Sequence, residues 1–473
     1  MNLKLSIVGL LLLSISSCTA PTLVDKTSLR PVPKQFIFAE DSANSVDIPW
    51  VQFFDDPYLS ALIDTALDRN LELNQVLQEI IISKNEVRIR KGEYLPSVGL
   101  QAGMGVDKTP RYTPLGANEA TTEIAPGEEM PEPVPDFKIG AVASWEIDIW
   151  NKLRSAKKAA ALRYLASIEG KNFMMTQLVS EIAHLYYELL AEDNLLLIVK
   201  ETIQIQQNAL RIVRQQKAAG KVTELAVQKF QAEVFKNRSK QYYIEQKIIT
   251  LENEINSLLG RFPQAIERSS QQIIALSTDD LAAGLPSQLI DNRPDVRQAV
   301  LALEAAKMDV KVAKANFYPS LGINAGLGLQ AFNLGKLVKM PESIAFSAAG
   351  DLISPLVNRN AIKANYSSAN AAQIQAVYQY QQTLLNAFVE VSNQLSAREN
   401  LAKSYDLKNK EVKALQRSIT ISTDLFASAR ADYMEILLTQ RDAQEARFEL
   451  VETKMHQLNA QILLYKALGG GWK

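Results

Sequence analysis

KGEYLPSVGLQAGMGV (residues 91–106) and KANFYPSLGINAGLGL (residues 314–329) are one passage written twice. The match extends outward without a gap, laying residues 70–105 over 293–328 at a constant offset of 223 with ten identities. Among these are Gln75/Gln298, Lys84/Lys307, Lys91/Lys314, Pro96/Pro319 and Gly103/Gly326. Each copy reads as a helix, a proline stop and a short alternating strand, because the residue before a proline is pushed out of the helical region. A second strand and a very long helical stretch follow each copy. The chain is therefore expected to be a duplicated helix–strand–strand–helix protomer of mixed α and β structure.

The strands alternate. In residues 97–106, Val98, Leu100, Ala102, Met104 and Val106 face one way, against Ser97, Gly99, Gln101, Gly103 and Gly105. Residues 320–329 repeat the pattern, and 137–149 set Phe137, Ile139, Ala141, Ala143, Trp145 and Ile147 against Lys138, Gly140, Ser144, Glu146 and Asp148. Residues 343–352 are a weaker fourth strand. Each run is near the roughly 9–11 residues of a tilted transmembrane strand. Alternation alone fits a soluble sandwich equally well. Four strands in lipid would leave open edges with unpaired backbone groups, so a membrane barrel would have to be shared between protomers. Three protomers give twelve strands, within the known range.

The helical stretches are long. Asn151 to Arg261 contains no proline, with glycine only at 170, 220 and 260, and Leu356 to Leu468 contains neither residue. Apolar residues recur at helical spacing, as in Leu178, Ile182, Leu185 and Leu189. Gly220 marks a hairpin between two antiparallel helices. Residues 151–219 as one helix would run about 100 Å at 1.5 Å per residue.

The amino terminus carries an address. Lys4 precedes an apolar run from Ile7 to Ile15, too short to span a bilayer and read as a signal peptide. Ile15-Ser16-Ser17-Cys18 fits a lipobox, which makes Cys18, the only cysteine, the lipidated first residue of the mature chain. Thr19 rather than an aspartate favours the outer membrane. With Cys18 acylated the mature chain forms no internal disulfide. Formal net charge is −1, from 51 basic and 52 acidic residues, which gives no basic footprint for nucleic acid. The expected organisation is a signal peptide (1–17), a lipidated tether (18–49), a first repeat (50–260), a linker (261–286), a second repeat (287–468) and a tail (469–473).

An ordered set of short signatures accompanies this pattern. It runs through Trp50, Phe53-Phe54-Asp55-Asp56-Pro57, Leu95-Pro96-Ser97, Trp145-Glu146-Ile147-Asp148, Leu258-Leu259-Gly260, Arg293-Pro294-Asp295-Val296, Tyr318-Pro319-Ser320, Ala431-Asp432-Tyr433-Met434 and Gln440-Arg441. It ends on Gly469-Gly470-Gly471-Trp472. Over residues 48–473 the chain resembles the outer-membrane factor (TolC) family, in its lipoprotein branch serving resistance–nodulation–division efflux pumps. The resemblance implies a homotrimer, with a twelve-strand transmembrane β-barrel continuing into a long periplasmic α-helical barrel. Residues 107–136 and 330–342 would be extracellular loops. The implied partners are outer-membrane lipid, a periplasmic membrane-fusion adaptor and, through it, an inner-membrane resistance–nodulation–division transporter.

The resemblance also implies site residues. Two hairpin tips would dock the adaptor: Gly220, Lys221, Val222 and Thr223 in the first, Ala429, Arg430, Ala431 and Asp432 in the second. Met434, Glu435, Leu438 and Arg441 would lie at the pore constriction. The chain departs from the family pattern at Ala429, where many members have glycine, and at Leu438, where many have aspartate. No cofactor and no metal are implied.

Enzymatic readings find little support. His184 and His456 are the only histidines, and no HxxxH or cysteine accompanies them. No phosphate loop or nucleophile elbow is present. Glu146 and Asp148 imitate a catalytic carboxylate pair but have no companion base, so a pore-lining or structural role is expected. A type I protein-secretion duct and an outer-membrane-anchored coiled-coil scaffold lipoprotein are the alternatives to an efflux duct. Duplicated strands speak against the scaffold; lipidation and the Gly-Gly-Gly-Trp ending favour efflux over secretion.

Overall fold

The computed structural model describes residues 48–472 apart from 278–281, 283, 356, 358 and 429, together with Pro21, Pro33, Gln35 and Phe36. Cys18 and Ala429 lie outside the described residues. The main elements in chain order are α1 (Pro57–Arg69), α2 (Leu71–Glu93), β1 (Ser97–Asp107), β2 (Val134–Ile147), α3 (Lys152–Ala218), α4 (Glu224–Leu258), α5 (Pro294–Ala315), β3 (Ser320–Ala331), β4 (Ile344–Ile353), α6 (Asn360–Ala427) and α7 (Tyr433–Leu468). The run α2-β1-β2-α3-α4 is repeated as α5-β3-β4-α6-α7. Among the described residues no helix is long and apolar enough to cross a membrane.

The chain divides into two compact units. One contains Ile81–Tyr164 and Leu301–Val377 and holds the sheet, in the order β1-β2-β3-β4 with every neighbouring pair antiparallel. Register fixes the faces, since directly opposite residues point the same way. Met104 opposes Phe137, Ile139 opposes both Ala102 and Leu329, and Leu327 opposes Phe346. That face is apolar from edge to edge. The other face carries Ser97 against Ser144 against Asn324, and Gly103 against Lys138 against Gln330. Both faces are largely exposed in the single chain: Leu100 is 93% and Phe346 82% accessible.

Gly140 and Gly328 sit opposite one another where β2 and β3 approach closely. A Cβ on Gly140 would lie 2.7 Å from the Gly328 Cα and 2.7 Å from the Leu327 carbonyl oxygen, so neither strand tolerates a side chain there.

β2 begins at Val134 and ends at Ile147, which takes Asp148 out of the ladder. The expectation that Glu146 and Asp148 share a strand face therefore fails. The Asp148 carboxylate instead accepts from the backbone N–H of Leu153 (3.1 Å) and Arg154 (2.9 Å). It satisfies orphan donors at the start of α3 and complements the helix dipole. Glu146 pairs with Lys152 at 2.5 Å. Both carboxylates are structural. The stretch 107–136 is also not plain loop: it holds a short helix at Pro114–Glu119 and a small hairpin joining Glu123–Ala125 to Glu128–Glu129.

The second unit contains Leu29–Ile80, Leu165–Val300 and Tyr378–Lys473. Its core joins Leu59, Ile63 and Ala66 of α1, Ile182, Tyr186 and Leu189 of α3, Ile255 of α4 and Leu464 of α7. Phe36, buried at 3%, stacks on Phe388 of α6 at 5.2 Å between ring centroids. Asp56 caps α1 by accepting from Tyr58 N at 2.8 Å, and its second oxygen accepts from the Tyr186 hydroxyl at 2.8 Å. Tyr186 is wholly buried; desolvation first, and the Asp56 carboxylate beside it, raise its pKa. Arg268 bridges Asp193 and Glu252, each at 2.5 Å.

Candidate functional site

The two hairpin tips of the second unit share a closing backbone hydrogen bond at equivalent positions. At the end of α3, Lys221 N donates to Gln216 O (2.9 Å) and Gly220 N donates to Lys217 O (2.9 Å). This is a Schellman closure. It requires a left-handed residue, and Gly220 has φ +73° with nothing within 4 Å of an added Cβ. The constraint at Gly220 is therefore backbone conformation and not space. Thr223 precedes α4 without a side-chain cap, and Lys217 pairs with Glu224 across the turn. That pairing and a hydrogen bond from Gln228, the larger effect, hold the Glu224 carboxyl below its usual range.

At the second tip, Arg430 N donates to Leu425 O at 2.8 Å, the equivalent of the Lys221 bond shifted by 209 residues. The position equivalent to Gly220 is Ala429. Asp432 precedes α7 without a side-chain cap, and Ala431 lies between it and Arg430.

The first turns of α7 sort the four expected constriction residues into two sets. Met434 is half-buried against a cluster containing Val213, Phe230 and Leu437, with Val222 also packed on it. The Lys229 ammonium donates to its sulfur at 3.3 Å. Met434 therefore couples the two tips. Glu435, Leu438 and Arg441 are exposed, and Arg441 pairs with the adjacent Asp442 at 3.1 Å. Asp442 was absent from the sequence-based set. It lies seven residues beyond Glu435, on the same helix face, and that spacing was the available signal. Higher up, the buried Asn237 amide donates to Gln206 Oε1 (3.0 Å) and accepts from Gln444 (2.7 Å), locking α3, α4 and α7 together.

Arg293 is a second residue whose role the sequence did not reveal, and here no spacing signals it. It is 4% exposed, pairs with Asp295 and Glu390 at 2.7 Å each, and donates to the Ala467 carbonyl oxygen at 2.9 Å. The Arg293-Pro294-Asp295-Val296 signature is thus a clamp on the C-terminal end of α7. His184 lies 3.7 Å from Glu188, which Lys247 also engages at 2.9 Å. Among the described residues no group of three or more histidine, cysteine, aspartate or glutamate side chains could hold a metal ion.

In the sheet unit, the polar face satisfies itself across strands. Gln330 Nε2 donates to Asp136 Oδ1 at 2.7 Å, Asn324 Nδ2 to Asp351 Oδ2 at 3.1 Å, and the Lys138 stem lies over Gly103. The apolar face is largely exposed in the chain, with Met104 84% and Leu327 64% accessible.

The profile of the outer membrane efflux protein family matches residues 62–261 and 285–470. The pyoverdine export outer membrane protein OpmQ of Pseudomonas aeruginosa is 26% identical over 472 residues, covering 100% of this chain and 97% of that one. The cation efflux system protein CusC of Escherichia coli is 26% identical over 448 residues, 94% of each chain. A crystal structure of a membrane protein from Pseudomonas aeruginosa superimposes with a TM-score of 0.85 at 25% identity, over 96% of this chain and 98% of that one. The chain belongs to the outer membrane efflux protein family and is an outer-membrane exit channel for efflux.

Proposed function

We propose that the chain is one protomer of a homotrimeric exit duct, passive and gated at its helical tips, in a tripartite small-molecule efflux pump. The carrying observation is the sheet: four antiparallel strands, one face wholly apolar, with β1 and β4 as free edges. With four strands, β1 and β4 run antiparallel, so β4 of one copy can pair with β1 of the next. Three copies make a twelve-strand barrel with no edge left in lipid. A periplasmic membrane-fusion adaptor docks on the tips, at 220–223 and 429–432, and links the duct to an inner-membrane resistance–nodulation–division transporter. Relatives at the same 26% identity are named for pyoverdine and for cations; in this reading cargo choice lies mostly with the inner-membrane pump. The exposed Glu435, Leu438 and Arg441 close the pore at rest, and Met434 braces the helix that carries them. Acyl chains on Cys18 add a second membrane anchor, and the residue boundaries of the two repeats are those read from the sequence.

Native mass measurement in detergent tests the assembly: a trimer is expected, and a stable monomer or an eight-strand dimer would overturn it.

A further inference from the structure

The apolar face of the sheet ends, where the helices begin, in a border of aromatic and basic side chains. From Leu321 to Ala331 that face of β3 runs about 33 Å along the strand, which at a tilt of about 40° is about 25 Å, the height of a lipid-facing band. Trp145 lies on this face, opposite Ile323 and one pair from its helix end. The Trp145 indole N–H donates to the Tyr94 carbonyl oxygen at 3.1 Å. Five residues on, Trp150 stacks on Tyr318 at 4.7 Å between ring centroids and donates to the Pro319 carbonyl oxygen at 2.8 Å. Both indoles remain partly exposed, at 37 and 46%. Amphipathic rings of this kind settle at headgroup level.

Positive charge collects at the same level. Residues 81–96, 148–164, 301–318 and 354–377, the helix end of the sheet unit, carry fourteen basic and five acidic side chains in a chain of net charge −1. The side of α3 that meets lipid follows from Lys152. Glu146 lies on the polar face of β2, which turns to the pore of the barrel, and Lys152 pairs with it at 2.5 Å. The Lys152 side of α3 is therefore the pore side. At 3.6 residues per turn, Lys157, Arg154 and Lys158 lie about 140°, 200° and 240° round from Lys152, on the outer side. Arg154 donates to the Tyr94 hydroxyl at 2.9 Å and lies 5.2 Å over its ring, so it shares Tyr94 with Trp145. Among the described residues no carboxylate lies within ion-pair distance of these three cations. Lys152 takes Glu146, Arg90 takes Glu86 and Glu93, and Arg163 takes Asp309.

We infer that Arg154, Lys157 and Lys158 hold the headgroup phosphate of an anionic phospholipid, of the phosphatidylglycerol class, in the periplasmic leaflet, with its acyl chains on the apolar face beside Trp145. The inference rests on the membrane-spanning barrel proposed above and names a lipid that borders it. Depth agrees with it. Arg154 and Lys158 lie about 3 and 9 Å down α3 from Lys152, and a headgroup layer is about 5–8 Å thick. Lysine stems are long enough to bring the deeper ammonium groups back to that layer. The sign of the charge selects the lipid. A zwitterionic headgroup carries its own ammonium, which three unpaired cations repel, whereas a net anionic one supplies the missing counter-charge.

Lipid titration of the full-length trimer in detergent tests this, with bound lipid counted by native mass and stability read as a thermal midpoint. Phosphatidylglycerol should bind at least tenfold more tightly than phosphatidylethanolamine of the same chains and raise the midpoint. Equal binding of the two overturns the inference and leaves the barrel standing. Lys157→Gln with Lys158→Gln should remove the preference, and Lys157→Arg with Lys158→Arg should keep it. Lys200→Gln with Lys413→Gln, which removes two exposed lysines of the second unit, should leave it intact. A preference lost equally in that control means diffuse charge and overturns the site. Inorganic phosphate that raises the midpoint as much as phosphatidylglycerol at the same concentration overturns a lipid occupant. If the glutamine variant fails to form a trimer, the wild-type comparison of the two lipids decides. A wild-type protein that does not insert into lipid vesicles overturns the barrel reading and this one together.

Discussion

The Arg293 guanidinium donates to the Ala467 carbonyl oxygen at 2.9 Å, across 174 residues of sequence. It joins the start of the second repeat to the last turn of its final helix. Nearly full burial would make this charge unfavourable, but Asp295 and Glu390 compensate it and raise its pKa against the opposing effect of burial. Arg293→Met should leave Glu390 and the Ala467 carbonyl without this partner, and Asp295 with only the Val296 N–H, and cost about 3–5 kcal/mol. Thermal unfolding of the purified protein should show it as a large drop in midpoint, while Arg293→Lys recovers only part. A midpoint unchanged in both variants would remove the clamp from the account.

Gly220→Ala should cost about 1–2 kcal/mol locally, since it forces a left-handed residue without a clash. Gly220→Glu should abolish drug resistance and adaptor cross-linking while trimer yield is unchanged. Full resistance with Gly220→Glu would exclude the first tip as a docking surface.

Leu438→Ala, and Glu435→Ala combined with Arg441→Ala, should raise single-channel conductance in planar bilayers and sensitise cells to vancomycin. Met434→Ala should change conductance less and destabilise the tip more, because Met434 packs on the buried cluster that includes Val213, Phe230 and Leu437. Conductance held at the closed level in the Leu438 and Glu435/Arg441 variants would put the constriction elsewhere.

Cys18→Ala, given a replacement cleavable signal, should still fractionate with outer membranes, because the barrel anchors the protein by itself. Recovery of soluble protein from the periplasm would contradict a membrane-spanning sheet.

Alkaline pH should destabilise the second unit. Burial raises Tyr465 to about 12, and Tyr186 is raised further, by burial and by Asp56. A raised folded-state pKa means the neutral phenol is favoured on folding. The stabilisation is complete below the unfolded tyrosine value of about 10 and falls as pH climbs toward 12, by up to about 1.4 kcal/mol per unit for each residue. Denaturant titrations between pH 9 and pH 12 should show that slope, and Tyr186→Phe should reduce it. A flat profile would mean these phenols are not buried as described.

The sequence by itself determined the duplication, the strand–strand–helix order and the apolar faces of β1 and β3. Those features are local: proline stops a helix, glycine permits a reversed turn, and alternation has period two. The turn at Gly220 was legible for the same reason. What only the tertiary structure decided was every contact made across the chain. Asp148 looked like a strand residue because alternation does not show where a ladder ends; the unpaired N–H groups of α3 end it. The resemblance placed Met434 and Leu438, four residues apart on one helix, together at the constriction. The packing of α3 and α4 against α7 half-buries Met434 and leaves Leu438 exposed. Arg293 gave no local signal, because its partners Glu390 and Ala467 lie 97 and 174 residues away and meet it only when the core closes.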